Sequence, residues 1–164
     1  MQGLLDEGWV MLEQYRERVK GTTIDPGTLL STDYFNLFNE VIMLLGMLGD
    51  MPDMLDEVIG WKFRTYEQHF AESGLAFAPL AIEAYPHSPP SAREHFERTI
   101  QRMHDTVEEA KMVLADARDQ GDMEILADQA INYSMMLQQM VDTGSAIIHG
   151  IDGIMDQSAI DDLF

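Results

Sequence analysis

Apolar residues recur at alternating intervals of four and three through residues 96–117, and this pattern constrains the fold more than any other feature. The alternation predicts a long helix with a sustained apolar seam on one face. A second run with the same alternation follows after a turn at Gly121 and Asp122, so the two helices are expected to fold back as an antiparallel hairpin. The seam residues are Phe96, Ile100, Met103, Val107, Ala110, Leu114 and Ala117, then Leu126, Ala130, Tyr133, Leu137, Met140, Gly144, Ile147, Ile151 and Ile154.

The first half of the chain contributes two further long helices. Apolar residues at helical spacing predict an amphipathic helix over about residues 3–19. Residues 20–30 contain glycine and proline and are predicted to be a connector. Ser31 or Thr32 is expected to cap the next helix, which runs to about Leu48. That helix is apolar nearly all round, and we expect it to be the most buried element.

Shorter helices are predicted between these long ones. They run from Asp50 to Trp61, over residues 66–72 with Thr65 as the cap, and from Pro79 to Tyr85. The proline run at residues 86–90 is expected to break all structure and to act as a hinge between two halves. Ser91 and Glu94 have the spacing of a capping box and are expected to start the first seam helix.

Together these elements predict an all-α fold. Its architecture is an antiparallel four-helix bundle with a long C-terminal helical hairpin and short inserted helices. Residues 1–155 are expected to form a single helical-bundle domain, and residues 156–164 an acidic, flexible C-terminal docking tail.

The charge balance excludes several classes of function. The 164 residues include 10 Lys and Arg against 29 Asp and Glu, for a net charge of −19. Nucleic-acid binding needs a basic stripe and is therefore not expected, and anionic membrane surfaces are disfavoured for the same reason. With no cysteine, thiol catalysis and disulfides are excluded. With neither a signal peptide nor a membrane span, we expect a cytoplasmic protein. Whether the acidity reflects the habitat or a partner stays open.

The five histidines do not form a metal-binding motif. A di-iron bundle needs Glu-x-x-His on facing helices, and no such motif occurs in the sequence. His69 has Glu72 one turn later, and His104 has Glu108. We therefore expect surface histidines beside ordinary acids, with no metal and no cofactor. A bundle or enzyme that binds metal through histidine and carboxylate stays open as an alternative.

His149 lies in a short motif that resembles a known box. The residues from His149 to Gly153 resemble the His-x-Leu-Lys-Gly box of histidine phosphotransfer domains, which are also four-helix bundles. The lysine of that family assists phosphoryl chemistry, and Asp152 stands in its place here, where a carboxylate would repel the incoming phosphoryl group. The favoured interpretation is an exposed histidine near a helix end that glycines weaken.

Asp128 and Asn132 form an acid–amide pair one turn apart on the last helix. Hydrolysis of an aspartyl phosphate in a response regulator needs an amide that orients water and an acid that positions the partner's lysine. The chemotaxis phosphatase, itself a long helical hairpin, is similar in having such a pair. The resemblance implies that Asp128 and Asn132 are the residues to test for catalysis. Asp33 and Asn36 form a second pair of this kind.

The last residues of the sequence resemble a docking segment. They are similar to the response-regulator-binding segments of the chemotaxis phosphatase and the flagellar switch protein, which have the pattern Ser-Gln-x-x-Ile/Val-Asp-x-Leu-Leu. The matching residues are Gln157, Ile160, Asp161 and Leu163, while Asp156 replaces the serine and Phe164 the last leucine. The resemblance covers about nine residues and implies that Gln157, Ile160, Asp161, Leu163 and Phe164 bind a receiver domain.

The leading hypothesis is therefore a non-catalytic regulatory or adaptor protein that binds a signalling partner through its tail, with phosphatase activity as an extension. A structural oligomer, such as a homodimer paired through the long helices, stays open as a further class. The thirteen methionines are expected to be mostly core residues, with an adaptable methionine-rich groove for partner helices as the alternative. Asn36, Asn39 and Glu40 are expected to form a polar edge that meets water.

Overall fold

The structure is a computed structural model that describes the backbone of residues 2–150 and the side chains of residue 8 and residues 10–150. The predicted all-α helical bundle is confirmed, with seven α-helices and no strand in this part of the chain. The helices are α1 (Gln2–Arg18), α2 (Asn36–Met47), α3 (Leu55–Gly60), α4 (Tyr66–Ser73), α5 (Ala78–Ala84), α6 (Pro90–Asp119) and α7 (Met123–His149). No helix among the described residues is long and apolar enough to cross a membrane.

The α6–α7 turn has the predicted form. Gly121 is in the left-handed region at φ 72°, and its N–H donates to the Arg118 carbonyl over 3.0 Å. The N–H of Asp122 donates to the Ala117 carbonyl over 2.9 Å, which completes a Schellman motif. The Asp122 carboxylate then caps α7 by accepting the N–H of Ile125 over 3.1 Å.

Burial follows the predicted seams closely. All seven predicted seam residues of α6 are buried. The α7 seam is buried from Leu126 to Ile147, with Met140 half-buried, and Ile151 and Ile154 lie outside the described residues.

The chain divides into two compact units. Among the described residues, the first unit comprises 2–34, 64–98 and 143–150, and the second unit comprises Phe35–Phe63 and Thr99–Asp142. The proline run at 86–90 lies inside the first unit.

An aromatic cluster forms the core of the first unit. The Phe96 ring meets the rings of Tyr34 and Tyr66 edge-on, with both centroid distances at 5.8 Å. The buried phenol oxygens are paired, because Tyr34 donates to the Arg64 carbonyl over 2.6 Å and Tyr66 accepts the Ser31 N–H over 3.0 Å. These bonds tie the start of α4 to the segment that precedes α2.

The connector at residues 20–30 is part of the core. Ile24, Leu29 and Leu30 are fully buried within it. The Asp25 carboxylate accepts the N–H of Gly27 over 2.7 Å, and Asp25 also accepts the Leu29 N–H through its main-chain carbonyl over 2.7 Å. Thr28 Oγ1 donates to the carbonyl of Ile148 over 2.6 Å, so the connector is joined to the end of α7.

Trp61 organises the second unit. Its Nε1–H donates to the Leu37 carbonyl over 3.0 Å, and its ring packs on Phe38 with centroids 5.6 Å apart. The Lys111 ammonium donates to the Trp61 carbonyl over 2.7 Å and lies 5.7 Å from the centre of its ring. These contacts tie α2, the residue after α3 and α6 together.

Helix ends differ from prediction in three places. A 3₁₀ turn over Thr32–Phe35 precedes α2, with the Ser31 hydroxyl accepting the Asp33 N–H over 3.2 Å. The helix α6 begins at Pro90, so Ser91 lies in its first turn and is not the predicted cap, because proline suits the first helical position. Tyr85–His87 forms a 3₁₀ turn, so the proline run is not wholly without structure. By contrast, Thr65 is the N-cap of α4, as predicted, and forms a full capping box with Gln68.

The prediction that α2 would be the most buried element is wrong for its second half. Leu37, Phe38, Val41 and Leu45 are buried, whereas Met43 is 62% exposed. Burial follows one helical face even though apolar residues surround the helix, because neighbouring elements cover only that face.

Candidate functional site

Asp128 and Asn132 lie on α7 within the second unit, and both side chains are exposed. Their spacing of four residues on a continuous helix places them one turn apart on the same face. The structure therefore brings the predicted acid–amide pair together at the surface. A partner molecule has access to both groups without a change in the helix.

Exposed apolar side chains surround this pair. Ile125 and Ile131 lie three residues before and after Asp128, and Ile131 is 48% exposed. Met135 and Met136 follow Asn132 by three and four residues, and Met135 is 59% exposed. Exposed apolar residues scattered singly are ordinary, but four on one helical face are typical of a binding surface.

Helix α2 extends this surface. Ser134 donates to the Ile42 carbonyl over 3.1 Å, and a Cβ on Gly49 would lie 3.9 Å from the Ala127 side chain. These two contacts set the helices antiparallel, with Met43 level with the stretch of α7 between Ile131 and Met135. We call this surface the α2·α7 face. Its exposed residues are Met43, Glu124, Ile125, Asp128, Ile131, Asn132, Met135 and Met136.

Most of the methionines with described side chains lie outside the core, contrary to the favoured prediction. Of those with described side chains, Met103 alone is buried. Six are exposed, namely Met43, Met51, Met112, Met123, Met135 and Met136. The physical reason is register: Met135 and Met136 fall between the seam positions Tyr133 and Leu137. That offset was visible in the sequence and was the available signal for this surface.

The polar edge of α2 is where it was predicted. Asn36, Asn39 and Glu40 are exposed, and the Asn39 amide donates to the Asn36 side chain over 3.4 Å. These residues therefore place no unpaired polar group in the core.

Two histidines are buried, which corrects the prediction of surface histidines. His69 and His95 are 9% and 6% exposed. The His69 ring meets the Tyr34 ring edge-on with centroids 5.5 Å apart. Burial and the nearby Arg64 lower the pKa of His69, while a hydrogen bond with the Asp33 main chain opposes this. His69 is a neutral packing residue of the first unit.

His104 serves packing as well. Its ring stacks on Phe63 with centroids 4.2 Å apart, and its Nε2 lies 3.7 Å from the Glu108 carboxylate. Among the side chains that the structure describes, no three His, Asp or Glu residues cluster closely enough to hold a metal ion.

His149 is the last residue of α7 and is exposed, as predicted. Gly150 follows it at φ 56° and ends the helix. The His149 Nδ1 lies 3.4 Å from the Asp25 carboxylate, in the first unit. This contact joins the end of α7 to the connector at residues 20–30. The predicted partner-binding residues Gln157, Ile160, Asp161, Leu163 and Phe164 lie outside the described residues.

The charge on the α2·α7 face has one sign. Residues 21–61 and 119–164 contain no lysine or arginine, so neither α2 nor α7 has one. The acidic side chains of the two helices, Glu40, Glu124, Asp128 and Asp142, are all exposed. The face is therefore apolar with acidic residues along and around it.

No family model matches this chain, no curated protein is significantly similar to it in sequence, and no solved structure matches it significantly in fold.

Proposed function

We propose that the chain is a regulatory or adaptor protein that binds a signalling partner. The observation that supports this is the α2·α7 face, in which exposed isoleucine and methionine side chains surround the exposed pair Asp128 and Asn132. Large apolar side chains in one exposed patch are typical of protein-binding surfaces. Methionine suits such a surface because its unbranched, polarisable side chain adapts to different partners.

The proposed partner is a response-regulator receiver domain. The resemblance of the last nine residues to receiver-binding segments supports this partner, with Leu163 and Phe164 as the apolar anchors. In the proposed extension, the Asn132 amide orients a water molecule and the Asp128 carboxylate positions a lysine of the partner. The water oxygen then bonds to phosphorus as the bond from phosphorus to the aspartyl oxygen breaks, which yields inorganic phosphate and a free carboxylate.

The double substitution Leu163→Ala with Phe164→Ala tests the tail. Burying a Leu or Phe side chain contributes about 1.5–3 kcal/mol, so receiver binding should weaken by roughly tenfold to several hundredfold. The melting temperature of the isolated protein should stay almost unchanged. A large fall in melting temperature with unchanged binding would instead assign the two residues to the core. Equal partner capture by the full chain and by a chain ending at Asp156 would also refute the proposal.

The pair on α7 is tested separately. Asn132→Ala and Asp128→Ala should each slow dephosphorylation of the bound receiver, while Gln101→Ala, which removes an exposed amide from α6, should not. Equal rates in all three variants would remove the phosphatase extension and leave the adaptor proposal in place. The rates are measured by loss of label from a phosphorylated receiver domain at saturating protein.

A further inference from the structure

We propose that the α2·α7 face binds a basic amphipathic helix of a protein partner. The inference goes beyond the tail-mediated binding proposed above, because it assigns a second ligand, of different chemistry, to the face that carries Asp128 and Asn132. It rests on three properties of the second unit: the shape of the face, its charge and its length.

The shape comes from small residues where α2 and α7 meet. Gly46 is exposed, and a Cβ built on it would meet only the Ser134 hydroxyl, at 3.9 Å. Gly49 faces Ala127 at the same distance. The small residues leave a shallow groove where the two helices meet. Met43 and Met135 flank this groove, with 62% and 59% of their surface exposed. An apolar trough with flexible methionine sides suits a helix in a groove.

The negative charge of the second unit favours a basic ligand. The second unit has fourteen Asp and Glu against four Lys and Arg, a net charge of −10. Two of its four cations are engaged elsewhere, because Arg118 pairs with Asp56 at 2.8 Å and Lys111 bonds the Trp61 carbonyl. Glu124 and Asp128 lie on the face itself. Lysine and arginine on either side of an apolar stripe would complement this arrangement.

The same charge argues against a second copy as the occupant. Pairing two α2·α7 faces would bring carboxylates together, and neither α2 nor α7 supplies a cation to offset them. An anionic lipid surface would be repelled in the same way.

The length of the face fits a short helix. Eleven residues separate Glu124 from Met135, which lie on the side of α7 next to α2, and this corresponds to about 16 Å at 1.5 Å per residue. A ligand helix of about three turns covers that distance, with apolar anchors at positions i, i+3 or i+4, and i+7.

The experiment uses the full chain and two fluorescent peptides. One is an amphipathic helix of leucine and lysine, and the other has glutamate in place of every lysine. Fluorescence anisotropy should show binding of the lysine peptide, weakening as salt is raised, and no binding of the glutamate peptide. Equal binding of both peptides, or of neither, would overturn the proposal.

Matched variants locate the site. Ile131→Ser with Met135→Ser should weaken binding of the lysine peptide by about tenfold or more, because anchors in the centre of an interface dominate its affinity. Met112→Ser is the control, since Met112 is 75% exposed but lies on α6. Equal weakening by the two sets of changes would overturn the proposed location. Circular dichroism and melting temperature verify that each variant is folded.

Two further measurements separate this proposal from its alternatives. With methyl-labelled methionine, the lysine peptide should shift the resonances of Met43 and Met135 and leave that of Met112 in place. Sedimentation should show that the protein does not dimerise through this face. A dimer that Met135→Ser dissociates would mean that a second copy of the chain, and not a partner helix, binds the face. Leu163→Ala with Phe164→Ala should leave peptide binding unchanged even though it weakens receiver binding, so either proposal can fail without the other.

Discussion

Ser134 on α7 donates a hydrogen bond through its hydroxyl to the main-chain carbonyl of Ile42 on α2, over 3.1 Å. The bond sets the register between the two helices that carry the α2·α7 face. Gly46 lies one turn beyond Ile42, and a Cβ there would meet the same hydroxyl at 3.9 Å. Ser134 therefore fixes both the level and the spacing of the exposed methionines on either side.

Ser134→Ala should lower the free energy of unfolding by about 0.5–1 kcal/mol. A hydrogen bond within a protein contributes roughly this much in net terms, and the better helix propensity of alanine offsets part of the loss. Urea denaturation measures the change. Ser134→Thr keeps the hydroxyl and should retain more stability than alanine, and the reverse order would show that the bond contributes nothing.

Gly46→Ala should raise the free energy of unfolding by about 0.5–1 kcal/mol. The glycine lies in the interior of α2, where alanine has the higher helix propensity, and 3.9 Å is ordinary van der Waals contact. Gly74→Ala is the control with the opposite sign. Gly74 ends α4 at φ 72°, a conformation that costs roughly 1 kcal/mol with a side chain. A loss of stability in the Gly46 variant would mean that α2 and α7 are closer than described.

The helical hairpin was predictable in detail because its signal is periodic. Seven positions of α6 follow the alternation of four and three, and every one of them is buried. Gly121 and Asp122 also carry the information for the turn, one through its positive φ and the other through its carboxylate. At these residues the local turn preferences and the pattern of buried side chains favour the same structure, so the sequence alone was enough to predict the hairpin.

The connector and the exposed methionines were harder to predict for physical reasons. Leu29 adopts φ 59°, a region that a leucine rarely enters, so no propensity indicates its conformation. Its side chain is fully buried, and its N–H donates to the Asp25 carbonyl over 2.7 Å. Spacing predicts the pair Asp128 and Asn132. The sequence leaves a methionine-rich surface only as an alternative to core methionines, because residue type alone does not decide which apolar side chains find a neighbour.

Leu29→Ala should destabilise the protein by about 2–5 kcal/mol. The side chain is fully buried, and truncating it removes apolar contacts while the strained φ remains. Leu75→Ala is the matched control in the first unit, since Leu75 is exposed and its truncation should change stability by less than about 0.5 kcal/mol. Thermal and urea unfolding measure both variants. Similar values for the two would show that the connector is not part of the core.

His69 should make the protein less stable as the pH falls from 7.5 to 5.5. Burial holds the pKa of the folded imidazole below the value of 6.5 that it has when unfolded. In this window the unfolded chain therefore binds more protons than the folded one. The contribution of His69 to the free energy of unfolding is fully present above about pH 6.5 and is lost on acidification. For one proton, the slope is at most about 1.4 kcal/mol per pH unit.

The surroundings of His69 explain why its protonation destabilises the folded state. Among the described residues, nothing hydrogen-bonds to the buried Nδ1 of His69, so a proton there would have no acceptor. Urea unfolding at several pH values measures the slope. His69→Gln should flatten it, whereas His149→Gln, which changes an exposed histidine of the same unit, should leave the His69 contribution in place. An unchanged slope in the His69 variant would show that another group titrates in this window.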